Sequence, residues 1–536
     1  MKKALLFVCS LLISMSANAA DFESAKDAVK NMGLGWNLGN TLDANDATKT
    51  WKTTEEHETC WGQPVTTPEL LKMMKEAGFG AIRVPVTWYQ EMDANGKVND
   101  AWMKRVKEVV DYVIDNGMYC LLNVHHDTGA DGGTFKSWIK ASGANYTANK
   151  AKYEGLWKQI AETFKDYDQH LLFEAYNEML DEKNTWNDPV DKTDGYKAIN
   201  DYAKSFVTVV RATGGNNAQR NLVVNTYSAS NSSAAMKALE LPEETGHIAF
   251  QIHNYPNWKD ESTTRNLIDN LISDIKTNLI SKGAPVIIGE YATLTTWPAD
   301  LDYYDKDRKL ALYAMDYFVK KTKEAGIGTF YWMGLSDGIF RIQPIFNQPD
   351  LVKTLINAYY GSTDGYKFPT LEDTGVLNCL QYEKTIAWGT GITINENAFS
   401  LFENNVKLQL SFRLESETEP DIQFNDGNWK HLSGVIVDGT AIGADYNPQG
   451  TVGTEYSITV TFSQDVYNKL SQSGMIIQGN NVTITKAVLE GTPVTGITPL
   501  RIERPADNLI YNLSGQRVSS PSKGVYIQNG KKFILK

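Results

Sequence analysis

The stretch that decides the fold is LLFEAYNE, residues 171–178. It opens on Leu171, Leu172 and Phe173, an apolar run suited to a strand buried on both faces. It then places Glu174, Asn177 and Glu178 within five residues. Charged groups are rarely fully buried without a partner or a task. A strand that is apolar along its length and polar at its carboxyl end reads as one wall of a lined pocket. Seven other stretches share the form: LGWNLGN (34–40), AIRVPVTW (81–88), YCLLNVHHD (119–127), NLVVNTYS (221–228), IAFQIHNY (248–255), PVIIGEYA (285–292) and GTFYWMGL (328–335).

Amphipathic helices fall between these strands. In TPELLKMMKEAG (67–78), Thr67 is placed as N-cap, Pro68 opens the helix and Gly78 stops it. AWMKRVKEVVDYVIDNG (101–117) and RKLALYAMDYFVKKTKEAG (308–326) carry helical spacing, and each ends in Gly. Alternation of strand and helix implies an α/β chain with a parallel sheet, and eight strands is the number that closes a (β/α)8 TIM barrel. Active sites of that fold gather at the carboxyl ends of the strands. There the sequence places Asn37, Arg83, His125, His126, Asn177, Glu178, Tyr227, His253, Tyr255, Glu290 and Trp332.

Glu178 and Glu290 end the fourth and seventh strands. Two carboxylates facing across a pocket are the working parts of glycosidic-bond hydrolysis, one as acid and the other as nucleophile or base. They must differ in proton affinity, so their surroundings should differ. Arg83 on the second strand is placed to hold one of them ionised. His253 and Tyr255, two apart on one strand, point the same way and are expected near the pair. Glu174 sits mid-strand, on the side of Tyr176 by alternation, and is expected to be a buried structural partner for an Arg or His. The adjacent His125 and His126 would face opposite ways on a strand, which argues against a metal-dependent hydrolase. No metal or cofactor is expected.

Composition fits an uncharged ligand. The chain holds 52 basic and 64 acidic residues, a net charge of −12, which disfavours nucleic acid or an anionic membrane. Its 13 Trp and 26 Tyr are enough both to pack a core and to line a cleft where pyranose faces stack on aromatic rings. A non-catalytic glycan-binding protein remains the competing class, though such a protein has no need of both glutamates.

GWNLGNTLDA (35–44), TCWGQPVTTPELL (59–71), GFGAIRVPVTW (78–88), NVHHD (123–127), YNE (176–178), HNY (253–255), IIGEYA (287–292) and FYW (330–332) resemble, in order, glycoside hydrolase family 5, retaining β-glycanases on a (β/α)8 barrel. The resemblance implies Glu178 as acid/base, Glu290 as nucleophile and Asn177 as the amide that bonds the sugar 2-hydroxyl. It implies Arg83, His125, His253 and Tyr255 as the polar shell around the pair, and Trp332 as a platform under the sugar; Asn37, His126 and Tyr227 are taken with Trp332 as substrate contacts. It further implies an endo-acting β-1,4-glucanase on cellulose-like or mixed-linkage β-glucan, with xyloglucanase and β-mannanase as alternatives. WMGLSDG (332–338) departs from the Trp-Asp-Asn-Gly ending of the endoglucanase branch, and so do the contacts expected after the eighth strand.

The ends of the chain read differently. MKKALLFVCSLLISMSANAA has a basic start, an apolar run and an Ala17-Asn18-Ala19 cleavage pattern, the form of a signal peptide over 1–19. Export to the medium or cell surface is expected, with no transmembrane span. Cleavage removes Cys9 and leaves Cys60, Cys120 and Cys379, too few and too unevenly spaced for a disulfide framework. The catalytic domain is expected over 20–362. From 363 to 492, KLQLSFRLE (407–415), SGVIVDG (433–439) and EYSITVTFS (455–463) alternate apolar and polar residues, as in an antiparallel β-sandwich. Trp388, Phe424 and Trp429 make a carbohydrate-binding or a spacer role open to it. Residues 493–536 form a β-rich tail resembling the sorting and anchoring tails of secreted bacterial proteins. A monomer is expected.

Overall fold

All eight apolar stretches form strands, and they are short because their polar ends leave the ladder. The computed structural model describes residues 21–256, 258–293, 306–443 and 445–494, and the backbone of three short strands beyond them. The expected signal peptide and most of the tail lie outside the described residues. The strands are β1 (Leu34–Asn37), β2 (Ala81–Val84), β3 (Tyr119–Asn123), β4 (Leu171–Glu174), β5 (Leu222–Asn225), β6 (Ile248–Asn254), β7 (Val286–Tyr291) and β8 (Gly328–Trp332). They pair in chain order, all parallel, and β8 closes on β1 with Asn37 opposite Trp332.

The expected helices form with their punctuation. Pro68–Glu76 has the Thr67 side chain accepting from the Leu70 N–H, and Pro68 in its first turn. Asp100–Asp115 and Arg308–Glu324 follow the same plan, and the glycine two residues past each helix, Gly78, Gly117 or Gly326, has positive φ. Between strands and helices lies the larger apolar core, which takes Trp36, Ile82, Val84, Cys120, Leu122, Phe173 and Tyr331 from the outward faces of the strands.

Inside the barrel the alternation is stratified. The lower inward positions are apolar: Ala81, Leu121, Leu172, Val223, Ala249, Ile287 and Phe330, closed from below by Ala25, Ala28 and Val29 of the helix Ala25–Asn31. The next inward layer is polar and buried: Asn37, Arg83, Asn123, Glu174, Asn225 and Gln251. Tyr176 does not share Glu174's side. The strand ends at Glu174, and the Tyr176 hydroxyl runs outward to the carbonyls of Ile199 and Asn225 at 3.2 Å.

The second unit is an antiparallel sandwich of a seven-stranded and a four-stranded sheet around its own core. Phe424 belongs to that core at 0% exposure, so it offers no surface for a ligand. The seam with the barrel is specific. The Val65 N–H donates to Gln381 Oε1 at 2.9 Å while Gln381 Nε2 donates back to the Val65 carbonyl at 2.6 Å. Phe340 and Ile345, just after the barrel, pack into the sandwich core. Cys60, Cys120 and Cys379 are free, the last two buried. Among the described residues no helix is long and apolar enough to cross a membrane.

Candidate active site

Arg83 organises the carboxyl end of the barrel. It is fully buried on β2 and donates to Glu174 twice, through Nε at 2.7 Å and Nη2 at 2.8 Å. It also donates to Glu290 Oε1 at 2.7 Å, Asn177 Oδ1 at 2.8 Å and Asn37 Oδ1 at 3.0 Å. Burial alone would lower its proton affinity, but Glu174 and Glu290 beside it raise it further. For Glu174 the contest runs the other way: burial favours the neutral acid, and Arg83 wins and holds it below the usual carboxylate range. Asn123 Nδ2 at 3.2 Å and Asn225 Nδ2 at 3.1 Å complete Glu174's shell. Glu174 is therefore the structural partner its mid-strand position suggested.

Glu178 and Glu290 meet above this layer. Oxygens of the two carboxylates and a nitrogen of His253 all lie within 4.8 Å of one another. Their surroundings differ. Glu290 accepts from Arg83 on one oxygen and from the Tyr255 hydroxyl, at 2.8 Å, on the other. Glu178 has no guanidinium, and its bond is to His253 Nδ1 at 2.8 Å. Burial pushes the Glu178 carboxyl up to about 7, past the lowering pull of Arg83. Its side chain keeps 22% of its surface against 7% for Glu290, so water and a leaving group reach Glu178 more readily.

His253 is pushed down to about 4 by burial, so near neutrality it is an uncharged imidazole. Its Nε2 has no hydrogen-bond partner among the described residues. Either tautomer is therefore open to it: Nδ1 can donate to a Glu178 carboxylate or accept from the Glu178 acid. His125 is also held neutral, well below the ordinary value, by burial and by the neighbouring charges. Asn123 Nδ2 contacts its Nδ1 at 3.0 Å, leaving Nε2 at 3.9 Å from Glu290.

Several expected substrate contacts fall elsewhere. Asn37 is fully buried, and its amide donates to the carbonyls of Gly289 at 2.9 Å and Phe330 at 3.1 Å, so it braces Arg83 and has nothing left for a sugar. Tyr227 is 1% exposed, with its hydroxyl between the Asp181 N–H and the Thr185 carbonyl. Both sit at strand ends, but one points down the barrel and the other under a loop. Asn177, by contrast, has its oxygen fixed by Arg83 and its Nδ2 without a partner among the described residues. Trp332 lies parallel to His125, with ring centres 5.9 Å apart. Gly39 makes room for it, since a Cβ there would fall 2.9 Å from the indole.

His125 and His126 do not diverge. β3 ends at Asn123, so strand alternation no longer governs them, and together with Asp43 they bring three donor atoms within 4.8 Å. Asp43 was not marked from the sequence. It is fully buried, its Oδ2 has no hydrogen-bond partner among the described residues and lies 3.9 Å from His126 Nε2, and burial pushes it up to about 7. Trp61 and Phe135 also escaped notice because loops carry no period. Trp61 packs against His126 at 5.3 Å and Phe135 at 5.7 Å, forming an aromatic rim.

A closed parallel barrel with two unlike glutamates at its carboxyl mouth is the build of a barrel glycoside hydrolase. Residues 42–337 match the cellulase family, glycosyl hydrolase family 5, and the chain belongs to it. Endoglucanase A of Clostridium longisporum is 35% identical over 360 residues, 62% of this chain and 66% of that protein. Endoglucanase A of Ruminococcus albus is 35% identical, over 58% of this chain and 83% of its own. The chain thus spans just under two thirds of the first of these relatives. Among solved structures, a GH5-4 broad specificity endoglucanase from an uncultured bacterium is 58% identical, covering 63% of this chain and 97% of its own, with a TM-score of 0.62. A family 5 enzyme from Prevotella bryantii, solved with a xyloglucan tetradecasaccharide, is 44% identical over 63% of this chain and 99% of its own, at a TM-score of 0.59.

Proposed function

We propose that the chain is a secreted endo-β-1,4-glucanase that cleaves cellulose-like and mixed-linkage β-glucans with retention of configuration. The observation that carries this is the carboxylate pair, within 4.8 Å and unlike in surroundings. Retaining enzymes set their carboxyls about 5–5.5 Å apart, while inverting ones leave room for a water.

Glu290, aimed by Arg83 and Tyr255, attacks the anomeric carbon. The glycosidic C–O bond breaks, and the Glu178 proton passes to the leaving oxygen. Water then attacks the glycosyl ester, Glu178 takes its proton, and Glu290 leaves as carboxylate. His253 follows Glu178 through both protonation states by exchanging tautomers. Asn177 offers its free amide to the sugar, and Trp332 with the Trp61–Phe135 rim supplies stacking faces. Endo action and the glucan substrate draw support from the relatives' names, and export from the amino-terminal pattern.

A second reading, xyloglucan as substrate, draws on the similarity to the Prevotella bryantii enzyme with its bound xyloglucan. Digestion of carboxymethyl cellulose, barley β-glucan, xyloglucan, glucomannan and xylan, with identification of products, separates the two. Hydrolysis confined to mannan-type chains would sink both.

A further inference from the structure

The four-stranded sheet of the sandwich carries an organised polar face. Along Asp421–Asp426, Ile422 and Phe424 enter the core, so Gln423 and Asn425 lie on the opposite face, where both are buried. On the neighbouring strand Met475–Asn480, Met475 and Ile477 enter the core and Gln478 points outward. These amides form one row: Gln478 Nε2 donates to Gln423 Oε1 at 2.7 Å, and Gln423 Nε2 donates to Asp445 Oδ1 at 2.7 Å. Asn425 Nδ2 donates to Gln423 Oε1 at 3.2 Å. Asn425 is fully buried, yet its Oδ1 has no hydrogen-bond partner among the described residues.

Two turns border this row, each carrying an indole. The Gly389 N–H donates to Gln478 Oε1 at 2.8 Å, which brings the turn of Trp388 to the edge of the face. The strand of Gln423 and Asn425 runs on into the turn of Trp429. Trp388 and Trp429 are 52% and 49% exposed, among the most exposed large apolar side chains of the unit. Trp429 also holds a φ of +65°, a conformation costly for a bulky residue.

The geometry points to a second glycan site, on this face of the sandwich and separate from the barrel. It takes a neutral β-linked glucan chain, with Trp388 and Trp429 stacking on pyranose faces and the partly exposed Gln478 bonding hydroxyls, held in place by the buried Gln423 and Asn425 behind it. The carboxylates of Asp421 and Asp445 at its edge disfavour anionic ligands. Two separate indoles flanking amides suit a sugar chain better than a protein, which needs a contiguous apolar patch. The choice of glucan rests on the function proposed for the barrel; the presence of a glycan site does not.

The test uses the full chain with Glu290→Gln, so that ligand is not consumed, run through native gels containing barley β-glucan. Adding Trp388→Ala with Trp429→Ala lowers retention about tenfold, to what the barrel cleft alone supplies. Gln478→Ala, which leaves both indoles in place, lowers it less but measurably. In the otherwise unaltered chain, the same sandwich variants turn over a soluble aryl cellobioside within twofold of the parent. Retention unchanged in both the double variant and Gln478→Ala overturns the proposal. Failure of the barrel's proposed function shows differently, as absent aryl cellobioside turnover with tryptophan-dependent retention intact.

Discussion

The two units bury polar groups in opposite ways. The barrel encloses charges: Arg83, Glu174 and Glu290 are all at or near zero exposure and bonded to one another. The sandwich encloses neutral polar groups, among them Ser411, Gln423, Asn425 and Thr483. Its ion pairs, Lys407–Glu490 and Arg413–Glu383, lie at the surface. Burying a charge is costly unless it is paired, so a fold keeps one inside only where the pairing is good or the chemistry requires it. Buried amides cost less, since a hydrogen bond is enough to offset their desolvation. The difference teaches that buried charges bonded to one another mark the chemistry in this molecule, whereas a buried cation bonded only to carbonyls and an amide, such as Arg220, does not.

The largest effect comes from removing a reacting carboxylate. Glu290→Gly should lower kcat roughly 10⁴-fold or more, with azide restoring turnover to a product of inverted configuration. Azide rescue with retained configuration would reverse the assignment. Glu178→Gln should cost about 10²–10⁴-fold on polysaccharide and far less on an aryl glycoside, whose leaving group needs no proton. The pH profile carries the same signature. The acid must be protonated in the free enzyme, so kcat/KM should fall as pH rises through about 7, the value to which burial lifts Glu178.

Next comes the charge that does no chemistry. Glu174→Gln leaves Arg83 with a partner too few, and should destabilise the fold by roughly 3–5 kcal/mol, read as a lower denaturant midpoint at unchanged m. A midpoint within experimental error of the parent would break the comparison between the units. Asp43 gives a smaller, pH-dependent effect. Its folded value of about 7 lies above the ordinary 3.8, so between them the folded chain holds a proton that the unfolded chain has released. Stability should fall as pH rises through that window. Asp43→Asn should remove the slope and raise Tm by roughly 2 °C at pH 7.5, with no gain at pH 4. The smallest effect belongs to the sandwich: Ser411→Ala loses one bond to Ser457 at 2.8 Å and should cost about 1 kcal/mol or less.

Much of the barrel was legible because its signals are periodic. Apolar runs start every strand, and Thr67, Pro68 and the post-helical glycines punctuate the helices. The carboxylate pair was legible because charges at the ends of apolar runs are rare. What failed did so where periodicity stops. Past the last ladder bond a side chain's direction is set by the loop, which is why His125 and His126 converge and Tyr227 turns under a loop. Within the strand, polarity alone could not say that Asn37 braces Arg83 and does not face the cleft. Phe424 looked like a candidate platform only because alternation in a short strand does not reveal which face is core.

The paired bonds between Val65 and Gln381, with Phe340 and Ile345 set into the sandwich core, have a geometric consequence. Modules on flexible tethers act by effective concentration, which linker length tunes. Here the linker drops out of that arithmetic, because the seam sets the distance and angle between the two units as the chain folds. A polymer held on the sandwich would reach the barrel from one fixed bearing. The sandwich is then a jig, where a tethered module would be a leash, and lengthening the connection would gain nothing unless the seam were first undone.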